Sequence, residues 1–240
     1  MVHYIVTEIS TLLSIIKGEN IMKKRIFLKI LLLGGVMIGL IGCGEKRGSR
    51  DWIENKVAEV SRVYPTENLF DLFKQFPDGF KVEQVYIKRG TYLIEMSLQG
   101  DSSNHTISGV LTKTRASDDI TEKPEETIRV DYIDGKFIFS DKEKAKELWP
   151  FDGFLFQKLT INQSFLSSLS MKSKSYNGNN GAFDIDYSIQ NQTINQYFHK
   201  NEREQATLGF GSSNRNDDYY YYSVTVNYDS VYTFRETVSN

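Results

Sequence analysis

From Tyr92 onward the apolar residues of this chain fall at alternate positions, and that period fits strands. Tyr92, Ile94, Met96 and Leu98 alternate with Leu93, Glu95 and Ser97, and a two-residue repeat sends one set of side chains to each face. Thr106 to Lys113, Thr127 to Ile133 and Lys136 to Phe139 follow, with turn residues between them. Asp134-Gly135 reads as a two-residue hairpin turn. No stretch between these runs is long enough for the helix of a parallel crossover, so they predict an antiparallel meander. Phe183, Ile185, Tyr187 and Ile189 alternate with Asp184, Asp186 and Ser188. Thr207 to Gly211, Tyr220 to Tyr228 and Val231 to Thr237 complete the expected strands.

Helical spacing precedes and interrupts these runs. Trp52, Ile53, Val57, Val60 and Val63 predict a helix over Asp51 to Val63, with Ser49 or Asp51 as its cap. Tyr64-Pro65 ends it, because a proline ring disfavours a helical residue before it. Asn68 to Phe73 predicts a short second helix, Asp141 to Leu148 a third, Phe154 to Leu169 a fourth and Thr193 to Lys200 a fifth. Asn177 to Gly181 is a loop. The expected fold class is α+β: one domain over residues 51–240, an antiparallel sheet with an N-terminal helix and helices between strand groups.

One cysteine in 240 residues excludes an internal disulfide framework and every zinc pattern built on paired thiolates. His3, His105 and His199 lie far apart, so no metal and no cofactor is expected beyond a covalent lipid. That cysteine, Cys43, follows Met22-Lys23-Lys24-Arg25, an apolar stretch from Ile30 to Ile41, and Leu40-Ile41-Gly42. Basic region, hydrophobic region and small residue at the cleavage site are the order of a bacterial lipoprotein signal. The apolar stretch is shorter than the roughly 20 residues a membrane span needs. Residues 1–42 therefore read as an upstream segment and a signal peptide, with Met22 as the expected start of translation. Leu40, Ile41 and Gly42 are the peptidase recognition residues. Cys43 is the expected site of a diacylglycerol, with or without a further N-acyl chain. Two or more acyl chains satisfy the requirement for stable anchoring. Residues 43–50 read as the lipidated cysteine and a flexible tether whose basic residues lie near anionic headgroups.

The first 42 residues hold five basic and two acidic side chains, which leaves 24 basic against 29 acidic and a net charge of -5 for the remainder. That balance has no general electrostatic footprint for nucleic acid.

Several segments in order resemble the staphylococcal tandem-type lipoproteins. Tyr64 to Leu72 is similar to that family's tyrosine-proline lead into its second helix. Gly90-Thr91-Tyr92 resembles its glycine-threonine-aromatic strand start, Gly109 to Arg115 its next strand, and Phe183 to Tyr187 its later tyrosine-rich strand. The resemblance runs from the lipobox to near the C-terminus. It implies a surface-exposed lipoprotein on the extracytoplasmic face of the membrane, linked to host-cell contact and to innate immune sensing through its lipid, with no enzymatic activity.

The residues themselves offer few catalytic constellations. Asp184 and Asp186 project from one strand face, as a general acid and base would, and equally as a solvated strand face would. Asp217-Asp218 lacks the further oxygen ligands of a calcium loop. No glycine-framed nucleophile elbow accompanies the histidines, and Gly209-Phe210-Gly211 lacks the lysine and helix of a phosphate loop. The most unusual feature is Tyr219-Tyr220-Tyr221-Tyr222, with Tyr228 nearby. Alternation sends half of these rings to each face, and exposed tyrosines suit contact with a host protein or a glycan. These five are the candidate binding surface. An exposed tyrosine-rich face would favour a contact protein, an enclosed apolar pocket with converging polar groups a solute- or glycan-binding protein of the cell wall space, and a cleft holding carboxylates of shifted proton affinity an enzyme.

Overall fold

The computed structural model describes residues 46–88, 92–115, 123–212, 219–228 and 232–240, and Arg47–Asn240 cluster as one compact unit. Helix α1 spans Arg50–Val57. Ser49 starts it by accepting from the Trp52 amide, and Ile53 and Val57 bury its apolar side. The segment predicted as helix to Val63 tightens after Val57 into a 3-10 helix over Ala58–Arg62, ahead of the cis Tyr64-Pro65 peptide. A 3-10 turn at Leu69–Asp71 leads into α2, Leu72–Gln75.

Strands β1 (Phe80–Lys88), β2 (Tyr92–Asp101), β3 (Thr106–Arg115), β4 (Glu126–Ile133) and β5 (Lys136–Phe139) form a meander. The Asp134-Gly135 turn has both residues at positive φ, the geometry a two-residue hairpin demands. Helix α3 (Lys142–Leu148), capped by Asp141, leads to a 3-10 turn at Leu155–Gln157 and to α4 (Gln163–Ser168), capped by Asn162. Strands β6 (Ser170–Tyr176) and β7 (Phe183–Ile189), helix α5 (Gln192–Tyr197), then β8 (Ala206–Ser212), β9 (Tyr221–Asn227) and β10 (Tyr232–Ser239) follow.

The described strands make one ten-stranded antiparallel sheet in the order β5-β4-β3-β2-β1-β10-β9-β8-β7-β6. Each half is a meander, and the halves join where β1 pairs with β10, Gln84 opposite Glu236. One face is sealed. Met96, Leu111, Val130, Ile185, Leu208, Val224 and Phe234 point there, beneath a cover that includes Ile53, Leu69, Phe154, Phe156 and Ile161. Each such side chain contributes about 1.5–3 kcal/mol when taken fully from water.

Two strands and one helix depart from the sequence expectation. β1 was not expected, because Gln84 interrupts its apolar face; the structure buries Gln84 and satisfies it, with its Nε2 donating to Tyr197 Oη (2.6 Å) and to Glu236 Oε2 (2.9 Å) and its Oε1 accepting from Trp149 Nε1. β6 was not expected either: nearly all of Ser170–Tyr176 is exposed, and an edge strand open to water carries no apolar alternation. The helix expected over Phe154 to Leu169 reduces to the 3-10 turn and α4. The amides of Leu155 and Phe156 donate to the Glu236 carboxylate (2.7 and 2.8 Å), and the Ile161 amide donates to the Tyr64 carbonyl, so this segment docks onto the sheet instead of coiling on itself.

Candidate functional site

The opposite face of the sheet presents short polar side chains. Near β6 these form two parallel rungs. Ser175 Oγ donates to Asp184 Oδ2 (3.1 Å) and Ser173 Oγ to Asp186 Oδ2 (2.7 Å). Gly211 and Gly209 stand opposite those aspartates on β8, then Ser223 and Thr225 on β9. A Cβ on Gly209 would fall against Thr225 Oγ1 and 2.5 Å from Asp186 Oδ1. The glycines thus let the carboxylates lie across the strand. Two residues separate the rungs, about 6.8 Å along the strand. Asp184 and Asp186 do share a face, each held by a serine.

The tyrosine run divides by strand parity. Tyr220 and Tyr222 turn to the sealed side, where Tyr220 packs on Phe76 (5.1 Å between ring centroids) and Tyr222 Oη donates to the Lys56 carbonyl (2.9 Å). Burial pushes the Tyr222 phenol up to about 12 and Tyr220 well above its ordinary range. Tyr228, half-buried, donates to Asn195 Oδ1 (2.8 Å) and meets Phe198 edge to face (5.6 Å between ring centroids). Burial raises its proton affinity too. Tyr219 and Tyr221 remain for the open side: Tyr219 is 44% exposed, and the two rings lie nearly parallel, 6.3 Å apart. Of the five candidate contact residues, these two lie on the open side, beside the rungs.

Further along the same face, Lys81, Ser97, Gln99, Asp101, Thr106 and Ser108 line an open cleft of about 450 Å³. Beside it, Lys81 Nζ donates to Glu83 Oε1 (2.6 Å) on β1, and Glu83 in turn touches Glu95 on β2. Partial burial raises the proton affinity of Glu95, the neighbouring Glu83 charge adds to it, and Lys81 and Arg235 oppose it. The pair stands next to the cleft rather than lining it. Sequence reading did not find this cluster, because Glu83 and Glu95 occupy ordinary outward positions and only the β1–β2 register, which places Glu83 opposite Ser97, brings them together.

Cys43, Leu40, Ile41, Gly42 and Met22 lie outside the described residues, as does Asp217-Asp218. His105 sits in the β2–β3 turn against Phe70 and Phe73, and His199 follows α5; the two do not meet an acid-nucleophile set. Among the described residues no group of three or more His, Cys, Asp or Glu side chains could hold a metal ion, and no helix is long and apolar enough to cross a membrane. Neither a family model nor a curated protein matches the chain.

Proposed function

We propose that this chain is a lipid-anchored, non-enzymatic contact protein of the extracytoplasmic membrane surface, one of the staphylococcal tandem-type lipoproteins. In this reading Cys43 carries the diacylglycerol, residues 1–42 are processed away, and an N-terminal helix leads a single α+β domain. The lipobox Leu40-Ile41-Gly42-Cys43 supports the location. One structural observation supports the contact role: Tyr219 and Tyr221 stack at the rim of an open polar sheet face while the other face is packed by its own chain. Rigid aromatic rings beside small hydroxyls and carboxylates offer a partner apolar area and hydrogen bonds at low entropic cost.

A second reading, binding of a small polar solute or glycan of the cell wall space, rests on the hydrogen-bonding groups of the cleft at Lys81, Ser97 and Gln99, although that cleft is open and mostly polar, not the enclosed apolar pocket such a binder was expected to have. Direct measurement separates the two. Purified lipidated protein and its Tyr219→Ser/Tyr221→Ser form are compared for binding to host cells, alongside an equally lipidated unrelated domain. At least tenfold weaker binding by the double variant supports the contact role; binding by the unaltered protein no stronger than that of the unrelated domain sinks it. Loss of binding in Gln99→Ala but not in the tyrosine variant moves the assignment to the cleft. Native protein with an unmodified Cys43 thiol by mass spectrometry, or with a mature N-terminus elsewhere than residue 43, would overturn the anchor.

A further inference from the structure

We infer that the β6 edge of the sheet, with Arg47 beside it, is the surface that lies against anionic lipid headgroups; this rests on the reading of Cys43 as the lipid anchor. Residues 44–50 were expected to be a free tether. Their last part is instead tied to β6. Lys174 Nζ donates to the Gly48 carbonyl (2.6 Å), Gly48 turns through a left-handed backbone against Tyr176, Ser49 caps α1, and Arg50 Nη2 donates to the Leu169 carbonyl (3.1 Å). Five residue steps separate Cys43 from Gly48. Fully extended, five residues span about 18 Å. Nine spacings separate the edges of the ten-stranded sheet, about 43 Å. An anchor attached at one edge by so short a link keeps that edge at the membrane and the β5 edge away from it.

The chemistry of the edge fits that position. β6 carries Lys172 and Lys174 and no acid, and it is exposed along nearly its whole length. Lys172 Nζ donates to Thr207 Oγ1 (2.7 Å) and Lys174 Nζ to a carbonyl. Both acceptors are neutral, so the full positive charge stays available. Arg47 is exposed next to them. The nearby carboxylates of Asp184 and Asp186 are held by Ser175 and Ser173 over the open face. Met171, 37% exposed, and the half-buried Trp52–Tyr176 pair (5.0 Å, edge to face) supply the apolar and amphipathic groups that favour a headgroup layer. Each cation near an anionic surface is worth about 1 kcal/mol, roughly a fivefold change in affinity. The open face, with Tyr219 and Tyr221, then stands across the membrane plane and remains accessible.

The test uses the intact lipidated protein in vesicles of neutral phosphatidylcholine with or without about one third anionic phosphatidylglycerol. A fluorophore is placed on Ser170→Cys at the β6 edge or Ile133→Cys near the β5 edge, and energy transfer to a headgroup-labelled lipid is read. Strong transfer from position 170, weak transfer from 133, and a drop at 170 on Lys172→Gln/Lys174→Gln or high salt support the inference. Equal transfer from both positions in protein that floats with the vesicles overturns it while leaving the anchor intact. Failure to float with either vesicle overturns the anchor reading and the inference with it. Transfer at 170 that depends on protein density and not on lipid charge assigns the edge to a second copy of the chain.

Discussion

Tyr64 Oη donates to Glu236 Oε1 at 2.7 Å, across the seam where the first and last strands of the sheet meet. The carboxylate is fully buried and also accepts from Gln84 Nε2 and from the amides of Leu155 and Phe156. Tyr197 extends the network by donating to the Gly153 carbonyl (2.9 Å). One acid thereby fixes the lead-in at Tyr64, the central strands and the cover segment in a single register. Losing one hydrogen bond to a charged group costs about 1.5–3 kcal/mol, so Tyr64→Phe is expected to lower the unfolding free energy measured by urea titration by that much. Glu236→Gln turns an amide N–H toward groups that donate, and is expected to cost about 3 kcal/mol.

The same acid predicts a pH dependence. Burial raises the Glu236 proton affinity, and its hydrogen bonds from Tyr64, Gln84 and the two amides oppose that without reversing it. Below the ordinary value of 4.5 the group is protonated in the folded and unfolded chain alike. As pH rises past that value, the unfolded chain releases the proton first and stability falls. Denaturation of wild type and Glu236→Gln across this range is expected to show the downward slope in the wild type only; parallel slopes would remove Glu236 as its source.

On the alkaline side the phenols govern. Burial raises Tyr64, Tyr132, Tyr187, Tyr220, Tyr222 and Tyr228 above their ordinary value of 10.0. Tyr187 is further raised by donating to the buried Glu54 carboxylate at 2.9 Å. Stability is complete below that value and is lost as pH climbs through the folded-state range, because the unfolded phenols ionise first. Phenolate absorbance is expected to rise for these six only together with the loss of tertiary circular dichroism. A smooth reversible titration of all the tyrosines near 10 would contradict the packing.

The tyrosine run offers a contrast within four residues. Tyr220→Ala and Tyr222→Ala empty buried sites and are each expected to cost about 3–5 kcal/mol. Tyr219→Ala and Tyr221→Ala, on the open side, are expected to fall within about 1 kcal/mol. Thermal melts of the four variants check this. It is also where sequence reading carried furthest, because alternation alone divides the run between faces. Alternation likewise located β2, β4 and β7, whose outward positions are mostly polar and inward ones mostly apolar. It failed where a strand's inward face holds a polar residue, as Gln84 does in β1, and where a strand has no inward face to fill, as in β6. The Glu83–Glu95 pair was equally illegible, since strand register is a property of the folded sheet and not of either segment.

Glycine at position 109 can be separated from the glycines of the open face by what surrounds it. A Cβ on Gly109 would collide with the Ser97 carbonyl oxygen and come within 2.9 Å of Leu98 Cα, both backbone atoms of the paired strand. Neither can move without parting β2 from β3, whose register places Leu98 opposite Gly109. At Gly209 the atoms in the way are Thr225 Oγ1 and Asp186 Oδ1, ends of side chains that rotate into solvent. Gly109→Ala is therefore expected to cost about 2–4 kcal/mol through broken pairing and strain. Gly209→Ala, which also gains from lower entropy in the unfolded chain, is expected to stay within about 1 kcal/mol. Urea titration with hydrogen exchange at the β2 and β3 amides reads both quantities. Equal costs at the two sites would mean that β3 does not approach β2 as closely as its glycine permits.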